Sequence, residues 1–138
     1  MSKTMEKNTM RIRLALLVLG ALVSPALADT AAPKGPFGDP VFPQQTGEDI
    51  YKGVCQGCHM PDAMGAVGAG KYPALAKNRN LETAAYPVSI ILHGQKSMPA
   101  LGGYFTDEQV ANVVNYIRSN FGNHYRDKVK PADVKLQR

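Results

Sequence analysis

The most regular pattern of hydrophobic and polar positions lies near the C-terminal end of the chain and predicts an amphipathic helix. Aliphatic residues recur there at the spacing of one helical face, at Val110, Val113, Val114 and Ile117. Thr106 precedes this face as an N-cap, and Gln109 three residues later completes a capping box. Gly122 stands where the pattern stops, as is typical just beyond a helix. The sequence therefore predicts one long helix between Thr106 and Gly122.

A shorter helix is predicted from Thr46 onward. Thr46 is an N-cap residue, and the acidic side chains of Glu48 and Asp49 suit the positive end of the helix dipole. Three apolar residues share one face of this helix: Ile50, Tyr51 and Val54. The helix runs directly into the sequence CQGCH at positions 55–59, so this motif is expected at the end of the helix.

The remaining segments are short and rich in glycine and proline. Residues 61–80 and 95–105 have the composition of loops. The apolar run 88–92 has the β-branched content of a strand, but its position among helices favours a short buried helix. Residues 81–85 are predicted to form a helical turn before it. The pattern as a whole predicts an all-α domain of short helices and loops.

The first 28 residues have the pattern of a cleaved signal peptide. Basic residues precede ten uncharged, mostly apolar residues from Leu14 to Val23, and the sequence ALA at 26–28 supplies the small residues of a cleavage site. The alternative is an uncleaved membrane anchor, but ten residues cover only about half of a bilayer's hydrocarbon thickness. Met10 is an alternative start that keeps the positive end. No transmembrane segment is expected in the mature protein.

The mature chain is predicted to have three parts. Residues 29–45 contain four prolines and form an extended arm, which Phe37 and Phe42 would pin to the domain. Residues 46–122 contain the predicted helices and form the domain itself. Residues 123–138 carry five basic and two acidic side chains and are predicted to be a basic C-terminal tail, solvated and mobile.

Composition changes this picture once residues 1–28 are set aside. The 138 residues carry a formal charge of +5, but the first 28 contribute +3, so the mature 110 residues retain +2. This charge, without a dense basic stripe, argues against nucleic acid as a partner. The mature chain has 33 larger apolar side chains, while glycine and proline together supply 21 residues. So lean a core indicates that the domain packs around a cofactor.

The motif Cys55-x-x-Cys58-His59 carries the chemistry of the chain. It is the signature of haem c attachment, because two thiols on one helical turn can add to the two vinyl groups of haem while the next imidazole ligates the iron. A dithiol redox site would stand at the start of a helix, and a zinc site would need a second pair of ligands. A structural disulfide between the two cysteines is the remaining alternative.

The second axial ligand of the iron has to come from elsewhere in the mature chain. Met60 adjoins the proximal histidine and Met64 lies in the same loop, so neither is placed to cross to the far face. Met98 lies about 40 residues downstream in a loop between two apolar segments, and a loop methionine followed by proline is a poor core position. We assign Met98 as this ligand, ahead of His93 and His124.

From residue 46 to residue 122 the sequence resembles a class I, single-haem c-type cytochrome. In that family a glycine and an aromatic residue precede the first cysteine by eight and four positions, as Gly47 and Tyr51 do here. An aromatic residue of the terminal helix packs where the two helices cross, and Tyr116 matches it. The family's proline after the motif accepts the second N–H of the proximal imidazole through its carbonyl. Pro73 is the match, unless it marks only an ordinary turn.

The resemblance implies a cytochrome c fold, with short helices and loops wrapped around one covalently attached haem. More narrowly, residues 93–100 and the helix after Thr106 resemble cytochromes that serve bacterial periplasmic dehydrogenases. The implied function is one-electron transfer in the periplasm on a haem ligated by His59 and Met98. The implied electron donor is a periplasmic dehydrogenase, and the implied acceptor is a cytochrome or a terminal oxidase.

Two sets of residues are expected around the haem. The apolar wall would come from the last helix and from Leu75, Ile90, Ile91, Leu92 and Tyr104. Four lysines would ring the exposed haem edge: Lys52, Lys71, Lys77 and Lys96. This lysine ring would dock an acidic partner surface, or else serve only solubility.

Two other classes of function are consistent with the sequence. In one, the protein is an enzyme or sensor in which Met98 is labile and the open iron handles peroxide or a small gas. In the other, it is a haem-free binding module with a disulfide between Cys55 and Cys58. We favour the electron carrier because His59 and Met98 would fill both axial positions and leave no site for a substrate.

Overall fold

A computed structural model of the chain shows the fold. The structure describes residues 42–138, with the exception of Ala69. The predicted signal peptide at residues 1–28 and the predicted arm as far as residue 41, including Phe37, lie outside the described residues.

The described part of the chain is mostly helical. Its elements in chain order are α1 (Gly47–Ile50), a π-helical turn (Tyr51–Cys55), α2 (Gln56–His59), β1 (Ala66–Val67), β2 (Lys71–Tyr72), a 3₁₀ turn (Arg79–Leu81), α3 (Ala85–His93), α4 (Asp107–Ser119) and α5 (Pro131–Lys135). The predicted fold of short helices and loops is confirmed. One small difference is that β1 and β2 pair as an antiparallel hairpin within the segment predicted to be a loop, with Ala66 opposite Tyr72.

The N-terminal helix begins at the predicted cap and ends at the predicted motif. The hydroxyl oxygen of Thr46 accepts a hydrogen bond from the backbone N–H three residues on (3.1 Å). α1, the π-helical turn and α2 follow one another without a break, and the N–H of Gln56 donates to the carbonyl of Tyr51, five residues back. The helix ends at His59 because Met60 has a φ of 67°, which an α-helix does not tolerate.

α4 is the longest helix of the described chain and provides much of its core. The predicted capping box is present: the Thr106 hydroxyl accepts from the Gln109 N–H (3.0 Å), and the Gln109 side chain accepts from the Thr106 N–H (2.9 Å). The predicted apolar face is buried at Val110, Val113, Val114 and Ile117. The other elements add the core residues Ile50, Tyr51, Leu81, Val88, Ile91, Leu92 and Phe105.

The apolar run 88–92 lies within α3, so the predicted short buried helix is confirmed. Pro87 occupies the first turn of this helix, where a missing N–H costs no helical hydrogen bond. The helical turn predicted at residues 81–85 is displaced. A 3₁₀ turn forms earlier, at Arg79–Leu81, because the side chain of Asn78 caps it by accepting from the N–H of Asn80 (2.9 Å).

The N-terminal helix and α4 cross at Gly47, and their close approach depends on its missing side chain. A Cβ at Gly47 would lie 2.2 Å from the carbonyl oxygen of Asn112 and 2.7 Å from Cβ of Tyr116. One helical turn further on, the ring centroid of Tyr51 lies 5.8 Å from that of Tyr116 and 4.8 Å from that of Phe121. The two helices therefore cross through a glycine flanked by aromatic contacts.

Phe42 is one of the two phenylalanines that were expected to pin the arm, and it lies against the domain as expected. Its ring centroid is 5.0 Å from that of Phe105. The side-chain amide of Gln109 donates to the carbonyl oxygens of Phe42 and Gln44, at 2.8 Å in each case. The capping residue of α4 thus also holds the chain that leads into α1.

The C-terminal residues 123–138 differ from the predicted solvated, mobile tail. Val129 and Val134 are buried, and α5 packs against α4. At the far end, the guanidinium group of Arg138 donates to the carbonyl oxygen of Phe105 (2.8 Å). The segment is therefore part of the folded domain, because two of its few apolar side chains complete the core.

A buried arginine explains why the segment is held. The side chain of Arg118 is 0% exposed, and its guanidinium group donates to the carbonyl oxygens of Leu81 (2.8 Å) and Glu82 (2.9 Å). It also donates to the carbonyl of Asp127 (2.6 Å) and pairs with the Asp127 carboxylate (2.8 Å), which lowers the pKa of that carboxyl. A buried charge without such partners is costly, so Arg118 fixes residue 127 against the end of the 3₁₀ turn.

We expect Gly47→Ala to lower the stability of the protein. The added methyl group would overlap the Asn112 carbonyl, which belongs to the backbone of α4, so the helix crossing would have to open at a cost of about 1–3 kcal/mol. Urea unfolding measures this change. Gly57→Ala is the matched control, because no atom lies within 4 Å of a Cβ at this helical glycine, and alanine favours helix by about 1 kcal/mol. Equal unfolding midpoints for the two variants would contradict the role of the crossing.

Candidate haem site

The attachment motif lies at the end of the N-terminal helix. The π-helical turn ends at Cys55, and α2 carries Cys58 and His59. Cys55 is half-buried and Cys58 is exposed, and both are free thiols with no disulfide between them. His59 is buried, with 8% of its surface exposed. The end of the helix therefore presents one sheltered sulfur, one accessible sulfur and a buried imidazole.

The thiol of Cys55 lacks the property that dithiol redox sites need. Burial, and to a smaller extent the nearby Cys58, raises the pKa of Cys55 to about 12. Redox-active Cys-x-x-Cys sites have a cysteine with a pKa lowered below the free value of about 8.5. The environment of Cys55 therefore argues against thiol–disulfide exchange, as does its position at the end of a helix.

The imidazole of His59 has one ring nitrogen engaged and the other available. Nδ1 lies 2.9 Å from the carbonyl oxygen of Pro73, and since a carbonyl can only accept, Nδ1 carries the proton. Nε2 has no hydrogen-bond partner among the residues that the structure describes. A neutral imidazole held in this tautomer presents the Nε2 lone pair, which is the form that binds a metal.

A tight turn at Gly65 brings the Pro73 carbonyl to His59. The N–H of Gly65 donates to the carbonyl of His59 (3.1 Å), and Gly65 has a φ of 69°. A Cβ at this position would lie 2.2 Å from the carbonyl oxygen of Tyr72. The β1–β2 hairpin therefore returns directly over Gly65, and only glycine allows so close an approach.

Asn123 holds the other side of this loop and was not anticipated from the sequence. Its buried side chain donates to the carbonyl oxygens of Leu75 and Ile117 (2.8 Å each), and its Oδ1 accepts from the N–H of Asn78 (2.9 Å). These bonds tie the chain just after Pro73 to the end of α4. Asn123 lies one residue beyond the predicted domain boundary, and its only sequence signal is an asparagine directly after Gly122 in a turn.

Met98 lies in a short loop held against α3. Its N–H and carbonyl exchange hydrogen bonds with those of Gln95 (2.9 and 3.0 Å), and its side chain is half-buried against the core. Gly94 ends α3 with a φ of 74°, and a Cβ there would lie 2.7 Å from the Met98 carbonyl oxygen. The N–H of Leu101 then donates to the carbonyl of Ile91 (2.8 Å). The methionine is thus carried on a constrained loop.

The other candidate ligands occupy different settings. His93 is exposed at the end of α3, and its Nε2 lies 2.9 Å from the carbonyl oxygen of Gln137. Met64 is 62% exposed, and His124 is exposed. Met60 is half-buried immediately after the helix. Among the five candidates, Met98 is the one that packs against the core while its side chain has no other described partner.

The residues of the predicted haem wall differ in burial, whereas those of the predicted lysine ring share the same exposure. In the wall set, Ile91 and Leu92 are buried, Leu75 and Ile90 are half-buried, and Tyr104 is exposed. All four predicted lysines are exposed. Lys52 pairs with Glu48 (2.6 Å) on its own helix, so Lys71, Lys77 and Lys96 are the ring members with no ion pair among the described residues.

A tyrosine hydroxyl fastens the end of the motif helix. Tyr51 is 1% exposed, and its hydroxyl donates to the carbonyl oxygen of Met60 (2.8 Å), the residue directly after His59. Burial, followed by the charges of Cys55 and Asp62, raises the pKa of Tyr51 to about 12. The phenol therefore remains a neutral hydrogen-bond donor well above neutral pH.

Together these residues fit a covalently held haem. Two free thiols stand three positions apart at the end of one helix, and a buried imidazole next to them offers an unpartnered Nε2. A half-buried methionine sulfur is available on a separate, constrained loop. Thiols, imidazole and thioether are the groups by which proteins attach haem and ligate its iron.

Comparison with known proteins identifies the family. Residues 43–117 match the family described as "Cytochrome C oxidase, cbb3-type, subunit III". The match covers just over half of the chain and includes the attachment motif, the hairpin, the Met98 loop and most of α4. The chain therefore belongs to this family of cytochrome c domains.

Individual relatives agree with the family. A nicotinate dehydrogenase subunit of Pseudomonas putida is 32% identical over 106 residues, which are 70% of this chain and 9% of that protein. The gluconate 2-dehydrogenase cytochrome c subunit of Pantoea cypripedii is 33% identical over 104 residues, 65% of this chain and 23% of the subunit. Cytochrome c6 of Diacronema lutheri is 30% identical over 79 residues, 55% of this chain and 94% of the cytochrome.

The chain spans less than a quarter of the two dehydrogenase subunits but matches nearly the whole of cytochrome c6. It is a class I, single-haem c-type cytochrome and carries covalent haem c with its iron. Its two cysteines are Cys55 and Cys58.

Within residues 42–138, Ala69 aside, no helix combines the length and apolar character needed to cross a membrane.

We expect Tyr51→Phe to lower the free energy of unfolding by about 1 kcal/mol, because the hydroxyl bond to the Met60 carbonyl is lost. The loss stays moderate since this carbonyl also accepts from the N–H of Ala63 (3.0 Å). Urea unfolding at pH 7 measures it. Tyr116→Phe is the matched control, a neighbouring ring whose hydroxyl has no described partner, and it should change stability by less than half as much.

The difference between wild type and Tyr51→Phe should shrink as the pH rises above 10. The folded protein holds the Tyr51 proton up to a pKa of about 12, whereas the unfolded chain releases it near 10.0, so rising pH favours unfolding of the wild type. The variant lacks this titration. A difference that stayed constant between pH 9 and pH 11 would contradict the raised pKa.

Proposed function

We propose that this cytochrome carries single electrons on a haem c that is held by Cys55 and Cys58 and ligated by His59 and Met98. The observation that carries the proposal is the 2.9 Å contact between His59 Nδ1 and the Pro73 carbonyl, because it leaves Nε2 as the free ring nitrogen. When bound, haem c supplies a ferric–ferrous couple. The protein's residues determine the ligation, the potential and the access to that couple.

Pro73 is proposed as the residue that orients the proximal histidine. A hydrogen bond from the second ring nitrogen to a carbonyl fixes the tautomer of His59 and raises its basicity as a ligand. The hairpin, Gly65 and Asn123 hold this carbonyl from both sides. Proline at this position has no N–H of its own to satisfy, so its carbonyl is the group that the turn presents.

Met98 is proposed as the opposite axial ligand. A thioether favours reduced iron and therefore raises the reduction potential relative to two histidine ligands. With His59 and Met98 both bound, no axial position is open to a substrate, so the proposed role is that of an electron carrier and not an enzyme. The loop from Gly94 to Leu101 supports this role because backbone hydrogen bonds hold the segment that carries the methionine.

The proposed partners follow from the relatives and from the charge of the surface. Two relatives are a dehydrogenase subunit and a dehydrogenase cytochrome c subunit by name, which supports a dehydrogenase as electron donor. We propose a periplasmic dehydrogenase as donor and a cytochrome or terminal oxidase as acceptor. The lysine ring would dock an acidic redox partner, with Lys71, Lys77 and Lys96 free to do so.

The proposed location is the periplasm. The support is the signal-peptide pattern of residues 1–28, which would be cleaved before Asp29. In the mature protein, residues 29–45 would form the arm, residues 46–122 the cytochrome domain and residues 123–138 the basic C-terminal segment. Attachment of haem c also suits an exported protein, because the thioether bonds use both thiols and leave none to be oxidised to a disulfide.

We expect Met98→Ala to keep haem covalently attached but to lower the reduction potential, because the thioether ligand is lost. The weak band at the red end of the oxidised spectrum, which reports sulfur ligation, should disappear, and added imidazole should bind. Optical titration and potentiometry measure these changes. Met64→Ala is the matched control, since this methionine is 62% exposed and should leave both unchanged.

An unchanged red band and potential in Met98→Ala would show that Met98 is not the ligand. A wild-type protein that lacks the band and binds peroxide or a small gas would favour the enzyme or sensor instead.

Replacing either Cys55 or Cys58 with alanine should prevent the two-thioether holoprotein from accumulating. The ferrous pyridine spectrum distinguishes two thioether bonds from one, because each unsaturated vinyl group left on the haem shifts the band to longer wavelength. A two-thioether spectrum in either variant would contradict the proposed attachment. A colourless wild-type protein, made together with the haem-attachment machinery, would establish the disulfide-bonded binding module.

A further inference from the structure

The net charge of the described chain is concentrated in its last 16 residues. Residues 42–122 carry six basic and six acidic side chains, while residues 123–138 carry five basic and two acidic ones. The cytochrome domain as predicted from sequence is therefore neutral over its described part. The C-terminal segment supplies a net charge of +3.

In the extended part of this segment, residues 125–130, odd-numbered and even-numbered side chains have different surroundings. The odd-numbered residues contact the domain: Val129 is buried, Tyr125 is half-buried, and Asp127 pairs with the buried Arg118, although 71% of the Asp127 side chain is exposed. The even-numbered residues Arg126, Lys128 and Lys130 are all exposed. Alternate residues of an extended chain point to the same side, about 6.6–6.8 Å apart. We expect these three residues, here called the basic row, to project from one side of the segment at this spacing.

The odd-numbered residues fix the backbone that carries the basic row. The side chain of Asn115 in α4 exchanges two hydrogen bonds with the backbone of Val129 (2.9 Å each). The Arg118 guanidinium group holds the carbonyl of Asp127 (2.6 Å), and the N–H of Tyr125 donates to the Arg118 carbonyl (3.0 Å). The row is therefore preorganised on α4, so a partner would not have to order a flexible tail before binding it.

The cations of the basic row are free for a partner. The described ion pairs engage Lys52, Arg118 and Arg138. The side chains of Arg126, Lys128 and Lys130 take part in none of the described hydrogen bonds or ion pairs. Two carboxylates lie near the row: that of Asp127 pairs with Arg118, and that of Asp133 accepts a hydrogen bond from the backbone N–H of Lys130 (2.8 Å).

We propose that the basic row is a docking surface for an acidic, extended segment of a partner protein, with carboxylates presented on every second residue. Such a segment would match both the sign and the spacing of the three cations. The three cations of this surface are not members of the predicted lysine ring, and the inference does not depend on which residues ligate the haem.

A protein partner fits this surface better than a lipid bilayer does. Stable binding to a bilayer surface draws on apolar side chains that insert beside the cations, since each basic residue alone contributes only about 1 kcal/mol. Here Val129 and Val134 point into the core instead, and Leu136, 87% exposed, lies beyond the row at the end of α5. Charge without insertion favours a carboxylate-bearing surface, and the association should be fast and sensitive to salt.

The test uses the holoprotein and two peptides of equal composition. One alternates glutamate and threonine over eight residues, and the other places the four glutamates in one block. Binding is measured by NMR chemical-shift changes at low and at moderate salt. The row variant is Arg126→Gln/Lys128→Gln/Lys130→Gln. The matched single variants are Lys128→Gln in the row and Arg79→Gln, which removes one exposed cation outside both the row and the lysine ring.

We expect the alternating peptide to shift resonances of residues 125–130 and to bind the row variant about tenfold more weakly, as the loss of three exposed ion pairs implies. Arg79→Gln should retain wild-type affinity, whereas Lys128→Gln should weaken binding about twofold. The block peptide should bind more weakly than the alternating one. Unchanged visible spectra and melting temperatures show that the variants are folded.

Three results would overturn the proposal. Equal losses in Lys128→Gln and Arg79→Gln would show that the peptide responds to total charge. Equal binding of the two peptides would show that the spacing of the carboxylates does not affect recognition. Vesicles of anionic phospholipid that bind the wild type but not the row variant, while neither peptide binds, would assign the row to a membrane surface. None of these results bears on haem ligation, which the Met98 variants test separately.

Discussion

The close crossing of the N-terminal helix over α4 is the constraint on which the rest of the structure depends. Gly47 removes the side chain that would keep the two backbones apart. Because the helix runs without a break from this crossing to His59, the crossing sets where the helix ends and where the imidazole lies. Tyr51 extends this control along the helix, since its ring packs at the crossing while its hydroxyl bonds to the carbonyl that follows His59.

The two loops that bear the proposed site residues are shaped by backbone angles that few residues adopt. Met60 leaves the helix at a φ of 67°, which is unfavourable for a side chain other than glycine. The Tyr51 hydroxyl and the N–H of Ala63 both bond to its carbonyl and hold this conformation. Gly65 and Gly94 adopt positive φ angles ahead of Pro73 and Met98 without this cost, while the same two loops also hold Ala63 at a φ of 59° and Lys96 at a φ of 54°.

Local signals predicted the helices and the attachment motif, whereas features that depend on distant partners were not predictable. Three of these signals act within one or two helical turns: the cap at Thr46, the capping box at Thr106 and the face from Val110 to Ile117. Each of them can therefore be recognised from its own residues. The buried Arg118 looks like an ordinary polar residue of α4, because its carbonyl partners lie elsewhere in the chain. Asn123 was missed for the same reason, and so was the packing of the tail that both residues hold.

The C-terminal segment shows how one stretch of chain can serve stability and recognition without conflict. Its odd-numbered residues are occupied by Arg118 and Asn115, and removing either partner would leave buried polar groups without hydrogen bonds. The exposed side chains of its basic row make none of the described contacts that hold the fold. Because the two sets alternate along an extended backbone, the outward charges can change in sign or number while the inward contacts stay intact. The buried contacts therefore hold the segment in place, and the exposed residues determine which partner it binds.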